Sequence, residues 1–168
     1  MSGQNTPPIS VVSQPPRILS AGQWFLDDYA AVLRRVVLDQ LQHDAELLLA
    51  RSRHEARLGN FIASRASARD AATLHPEWGP AHALHAQAAW HLALLRAEAI
   101  EASPWHTPSP QNCRDLLDEA RRSYARAAHA CPEDAENPAA AAWIAAVLSF
   151  TRTEAQTAGL LRKTVPHA

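Results

Sequence analysis

Residues 58 to 82 read "LGNFIASRASARDAATLHPEWGPAH". Gly59 and Asn60 break the apolar pattern, and Pro76 stops it again. Between them the small residues Ser64, Ala68 and Ala71 recur at helical spacing. Gly supplies the tight, left-handed turn that ends one helix. Pro blocks the end of the next and forces a second turn. The stretch therefore predicts a turn, a short helix from about Phe61 to Leu74 and an exit turn. Small residues on one helix face let an antiparallel neighbour approach closely, with the aromatic Phe61 packing beside it.

The rest of the chain extends the pattern. It has 168 residues and 47% apolar composition, much of it Ala, the best helix former. An all-α fold follows. From Trp24 to Leu58 there is neither Gly nor Pro, and Trp24, Phe25, Tyr29, Leu33, Val36, Val37, Leu41 and Leu48 recur every three or four residues. This predicts an amphipathic helix. Its length favours a break near His43. A third helix opens near Pro80 and runs to about Ala102. The loop "SPWHTPSPQN", residues 103–112, holds three prolines, and Asn112 can cap a fourth helix that ends near Cys131. A fifth helix starts at Asn137 and Pro138, and a sixth runs from about Thr153 to Lys163. Residues 1–22, with Pro7, Pro8, Pro15 and Pro16, are expected to form a mobile tail, as are 164–168.

A second copy of the small-residue pattern lies in "EARRSYARAAHACPED", with Ala120, Tyr124, Ala127 and Pro132. Its A-x3-Y-x2-A-x4-P spacing resembles the second half of a tetratricopeptide repeat. Ser64, Ala68, Ala71 and Pro76 occupy the matching places in the first copy, and "LGNF", 58–61, resembles the turn between the two helices of that repeat. Pro76 and Pro132 are 56 residues apart, against about 34 in the regular repeat. An insertion of 22 residues is the difference. Arg51 and Glu55 stand where the family has apolar and aromatic residues, and they are four apart, close enough to pair. The resemblance implies an antiparallel helix-hairpin solenoid of about two and a half repeats over 45–163, one of them enlarged, preceded by an N-terminal helix over 23–44.

Such repeats mostly hold a peptide or protein in the concave groove lined by their leading helices. The register places Leu49, Arg53 and Arg57 of the first unit in that groove. From the second come Ala83, Gln87, Trp90 and His91, and from the third Ala139, Trp143 and Val147. Arg53, Arg57, Gln87, Trp90, His91 and Trp143 form the candidate recognition set, because Arg forks onto carboxylates and Trp supplies large anchors. Each has a plainer reading beside it: the tryptophans as core filling and the arginines as a solvated face. Members that clamp a chaperone's C-terminal carboxylate need Lys and Asn where Leu49 and Arg53 stand here, so that specificity is not implied.

Other chemistry is thin. No nucleophile elbow, phosphate loop or H-E-x-x-H run occurs, so no catalytic residue is assigned and no enzyme is expected. Nine histidines include His82 and His85 on one helix face. Without a third converging ligand these are expected at a surface or interface rather than on a metal. No cofactor is expected. The net charge is −1 with dispersed basic residues, which argues against nucleic acid. Cys113 and Cys131 are expected at opposite ends of one helix, about 27 Å apart and beyond bridging. No basic, apolar leader opens the chain and the longest apolar run, Ala139 to Phe150, is too short to span a bilayer. A cytoplasmic protein is expected. Ser103-Pro104, Thr107-Pro108 and Ser109-Pro110 are candidate phosphorylation sites that could order the loop onto an arginine cluster. The expected partner is another protein or peptide, held by an adaptor or chaperone-like module. The alternative is a structural subunit that buries its N-terminal helix and apolar faces in a larger assembly. The oligomeric state is open.

Overall fold

A computed structural model describes residues 21–102 and 112–164, with side chains described for 29–100 and 112–164. The 1–20 part of the tail, the Ser-Pro and Thr-Pro sites of the loop, and residues 165–168 lie outside the described residues. Six helices occur among the described residues and no strand: α1 Ala21–Arg57, α2 Phe61–Leu74, α3 Gly79–Ala102, α4 Cys113–Ala130, α5 Glu136–Phe150 and α6 Glu154–Thr164. The break expected near His43 is absent. Gln40 donates to Asp44 and Gln42 to Glu46 across that point. These four-residue links support helix where the apolar periodicity lapses.

The chain divides into two compact units, one ending at Val37 and one beginning at Leu38. In the first, the described residues Tyr29 to Val37 are all exposed. The second holds two apolar clusters. The smaller packs Leu49, Ala71, Ala72 and Ala81 with Leu48, Trp78 and Leu84. The larger gathers Ala89, Ala93, Ala97, Leu116, Leu117, Ala120, Ile144, Val147, Ala158 and Leu161. Alanine dominates because it permits close helix crossings, and the leucines fill the space between them.

The turn at 58–61 forms as its residues require. Gly59 has φ +76°, the region that favours glycine. Asn60 caps α2 by accepting from the Ala63 amide, and its amide nitrogen donates to Glu55. Glu55 thus serves the turn. Ser52 Oγ donates to the Ser64 carbonyl at 2.8 Å and touches Ser64 Oγ at 3.0 Å, which ties α1 to α2. Ser64, Ala68, Ala71, Ala120 and Ala127 are all fully buried. Phe61 stacks on His91 of α3, centroids 4.5 Å apart.

Beyond α3 the packing changes. α3 and α4 pack along each other, α5 lies on α4, and α6 rests mainly on α3 rather than on α5. Asn112 accepts from the Asp115 amide at the start of α4. Glu154 of α6 joins it, accepting from the Cys113 and Arg114 amides, a carboxylate placed at the positive end of a helix. Arg114 donates to Thr151, Thr157 and the Leu148 carbonyl. Arg162 donates to the Ala97 carbonyl in α3. Cys113 and Cys131 mark the two ends of α4 and are unbridged. Burial, with Glu154 beside it, pushes the Cys113 thiol up to about 12, so it stays a thiol.

Candidate partner-binding groove

A shallow pocket of about 270 Å³ lies where the C-terminal turn of α1, the first two turns of α3 and the entry to α5 meet. Its wall residues are Arg53, Pro80, Ala83, Leu84 and Gln87 on one side, with Cys131, Asp134 and Asn137 on the other. Gly79 shapes the floor. A Cβ there would sit 2.4 Å from Cys131 Sγ, so only glycine lets the start of α3 approach the end of α4 this closely. Asp134 accepts from the Glu136 amide and from the Asn137 side chain. This fixes an acidic and an amide group on the rim. Arg53 and Gln87 are exposed and make no hydrogen bond or ion pair within the described residues. The pocket therefore presents a cation, an anion and amides beside the apolar side chains of Ala83 and Leu84. Such a set can hold an extended chain by its backbone and take one carboxylate side chain.

Of the candidate recognition residues, Arg53 and Gln87 come together here, along with the register position Ala83. Arg57 is exposed one turn further along α1 and does not line the pocket. Trp90 and Trp143 pack edge to face, centroids 5.1 Å apart, with Trp90 half-buried against the larger core and Trp143 at 39% exposure. His91 lies against Phe61, and desolvation lowers its pKa, which keeps the imidazole neutral near pH 7. Leu49 and Val147 are buried in the two cores and Ala139 is exposed outside the pocket. Asp134, from the turn that enters α5, and Asn137, in the first turn of α5, were not among the groove positions read from the sequence.

His82 and His85 are not surface residues. Both are buried. His82 Nε2 donates to the Pro76 carbonyl at 2.7 Å and holds the exit turn against α3. His85 lies at the centre of a polar lock. Its Nε2 is 2.8 Å from Glu119 Oε1, and its Nδ1 is 3.1 Å from Ser123 Oγ. Arg65 of α2 donates twice to the same carboxylate, at 2.6 Å each. Burial alone would raise the Glu119 pKa. The hydrogen bonds and charges of His85 and Arg65 outweigh it and hold the group at about 2. An ionised carboxylate only accepts, so Nε2 carries a proton and donates to it. Serine, histidine and carboxylate in line have the composition of a nucleophilic relay. Here Ser123 is only 4% exposed and Arg65 neutralises the acid, and the four side chains lock α2, α3 and α4 together. Among the described residues no three His, Cys, Asp or Glu side chains converge as a metal site, and no helix is long and apolar enough to cross a membrane.

Comparison with models of protein families, with curated proteins and with solved structures found no match.

Proposed function

We propose that the protein is a non-enzymatic binding module, built as a tetratricopeptide-like stack of helix hairpins. It holds a segment of a partner protein in the pocket between α1, α3 and α5. One observation carries this reading: Arg53, Ala83 and Gln87, three positions assigned to the groove by repeat register, line a single pocket. The burial of Ser64, Ala68 and Ala71 in α2, matched by Ala120 and Ala127 in α4, supports the repeat. The α6–α3 packing departs from a regular stack and is a closing element in this reading. The partner segment is extended and carries an Asp or Glu, which Arg53 takes while the exposed Gln87 amide pairs with its backbone. The unbridged cysteines agree with a reducing compartment, and we place the protein in the cytoplasm.

The test is site-specific photocrosslinking in the source cell. A photoreactive side chain at Gln87 should capture one dominant protein, and Arg53→Glu should abolish that adduct while leaving the helical circular dichroism unchanged. A photoreactive group at exposed Arg69 on α2 serves as the control. Equal adducts from Gln87 and Arg69, or an adduct indifferent to Arg53→Glu, would overturn the groove assignment. The alternative, a subunit of a larger assembly, draws its support from the exposed apolar row of α1.

A further inference from the structure

The two rims of the groove carry opposite charge. On α1, Arg53 lines the pocket and Arg57 stands one turn further along, both exposed. On the other side Asp134 lines it, and the exposed Glu133 and Glu136 flank Asp134 in the chain. None of these five side chains enters an ion pair among the described residues. Glu55, the acid nearest to Arg53 along α1, is turned to Asn60. Arg53 and Asp134 thus stand in the wall of one pocket of about 270 Å³ without neutralising each other.

Asp134 is oriented before any ligand arrives. Its Oδ1 accepts from the Glu136 amide at 3.0 Å and its Oδ2 from the Asn137 side chain at 2.8 Å. Neither donor is a cation, so the carboxylate keeps its charge, and each oxygen keeps a second acceptor site. Arg53 offers the complementary set, a guanidinium that only donates.

Opposite rims suit an extended chain. Successive side chains of such a segment point to opposite sides. A chain lying between the rims turns one residue toward Arg53 and the next toward Asp134, and the residue after that returns to the first side. An acid satisfies Arg53 and leaves Asp134 facing its neighbour in sequence. A second acid there is repelled, an apolar residue forfeits the contact, and Lys or Arg pairs with the carboxylate. We infer that the groove selects a segment in which an acidic and a basic residue are adjacent in sequence, the acid on Arg53 and the base on Asp134. This rests on the groove being the binding site, and it makes Asp134 a specificity-determining residue.

The test is selection of short random peptides displayed on phage against the full chain, in low salt, with circular dichroism as the folding control for each variant. Wild type should enrich adjacent acid–base pairs by about fivefold over the starting library, the scale of one exposed charge pair. Acid and base separated by one residue should stay at the starting level. Asp134→Asn keeps an oxygen for the Glu136 amide, so it should retain the acidic preference and lose the basic one. Asp134→Arg should go further and select two neighbouring acids. Arg53→Glu should lose the acidic preference, and the exchange Arg53→Glu/Asp134→Arg should regain mixed pairs. Acids enriched with no basic neighbour, basic enrichment that survives Asp134→Asn, or equal enrichment at both spacings would overturn the inference and leave the groove standing. No enriched peptide, or acidic enrichment that survives Arg53→Glu, would overturn the groove reading and this inference with it.

Discussion

Replacing Glu119 by Gln tests whether the buried Arg65–Glu119–His85–Ser123 lock holds three helices together. The carboxyl stands at about 2 in the folded chain against 4.5 as its ordinary value. At about 1.36 kcal/mol per pKa unit this corresponds to ~3 kcal/mol of stability near neutral pH. Glu119 keeps 19% exposure, so screening brings the expectation to about 2–3 kcal/mol. The sign is definite. The contribution is complete above the unfolded value of 4.5 and fades as pH falls toward 2. Gln keeps the size but removes the charge and turns one acceptor into a donor facing Arg65 or His85. Urea unfolding should therefore show Glu119→Gln less stable than wild type by about 2–3 kcal/mol at pH 7. The gap should shrink to about half by pH 3. A loss below about 0.5 kcal/mol at pH 7, or a gap that does not change between pH 5 and pH 3, would refute the reasoning.

Three smaller perturbations probe the turns and helix ends. Gly79→Ala places a methyl 2.4 Å from Cys131 Sγ and should cost about 1–3 kcal/mol in urea unfolding. Cys131→Ala in that background should recover part of the loss. Gly59→Ala meets no atom within 4 Å, so its cost of about 1–2 kcal/mol should come from backbone φ alone; Gly59→Asn should cost less. Asn112→Ala removes the cap on the Asp115 amide and should lower stability by about 0.5–1 kcal/mol, the low end of the range because Glu154 already serves the same helix end.

Helix boundaries were largely legible because local chemistry sets them. Gly59, Pro76, Asn112 and Pro132 act within a few residues of themselves. The four boundaries they imply agree with the observed ends of α1, α2 and α4 to within about two residues. The unbroken α1 was not legible. Gln42, His43, Asp44 and Glu46 interrupt the apolar rhythm, and rhythm reports burial rather than helicity. The lock was missed because His85 and Glu119 are 34 residues apart and no periodicity links them. The available trace was weak: Arg65 directly follows Ser64 and Glu119 directly precedes Ala120, so each flanks a small residue at a crossing. For the groove, repeat register reached only the faces of the leading helices. It identified Arg53 and Gln87, whereas Asp134 and Asn137 reach the pocket from the α4–α5 turn and the first turn of α5, whose path depends on where α4 ends.

The cap that Glu154 places on α4 has a consequence for synthesis of the chain. α4 begins at Cys113, yet the carboxylate on its first amides lies 41 residues later. The oxygens that receive Arg114 belong to Leu148, Thr151 and Thr157. Synthesis reaches the end of α4 before it reaches those groups. During that interval the leading turn of α4 relies on Asn112 alone, and Arg114 is hydrated. The hairpin reaches its finished form only when α6 folds back onto α3.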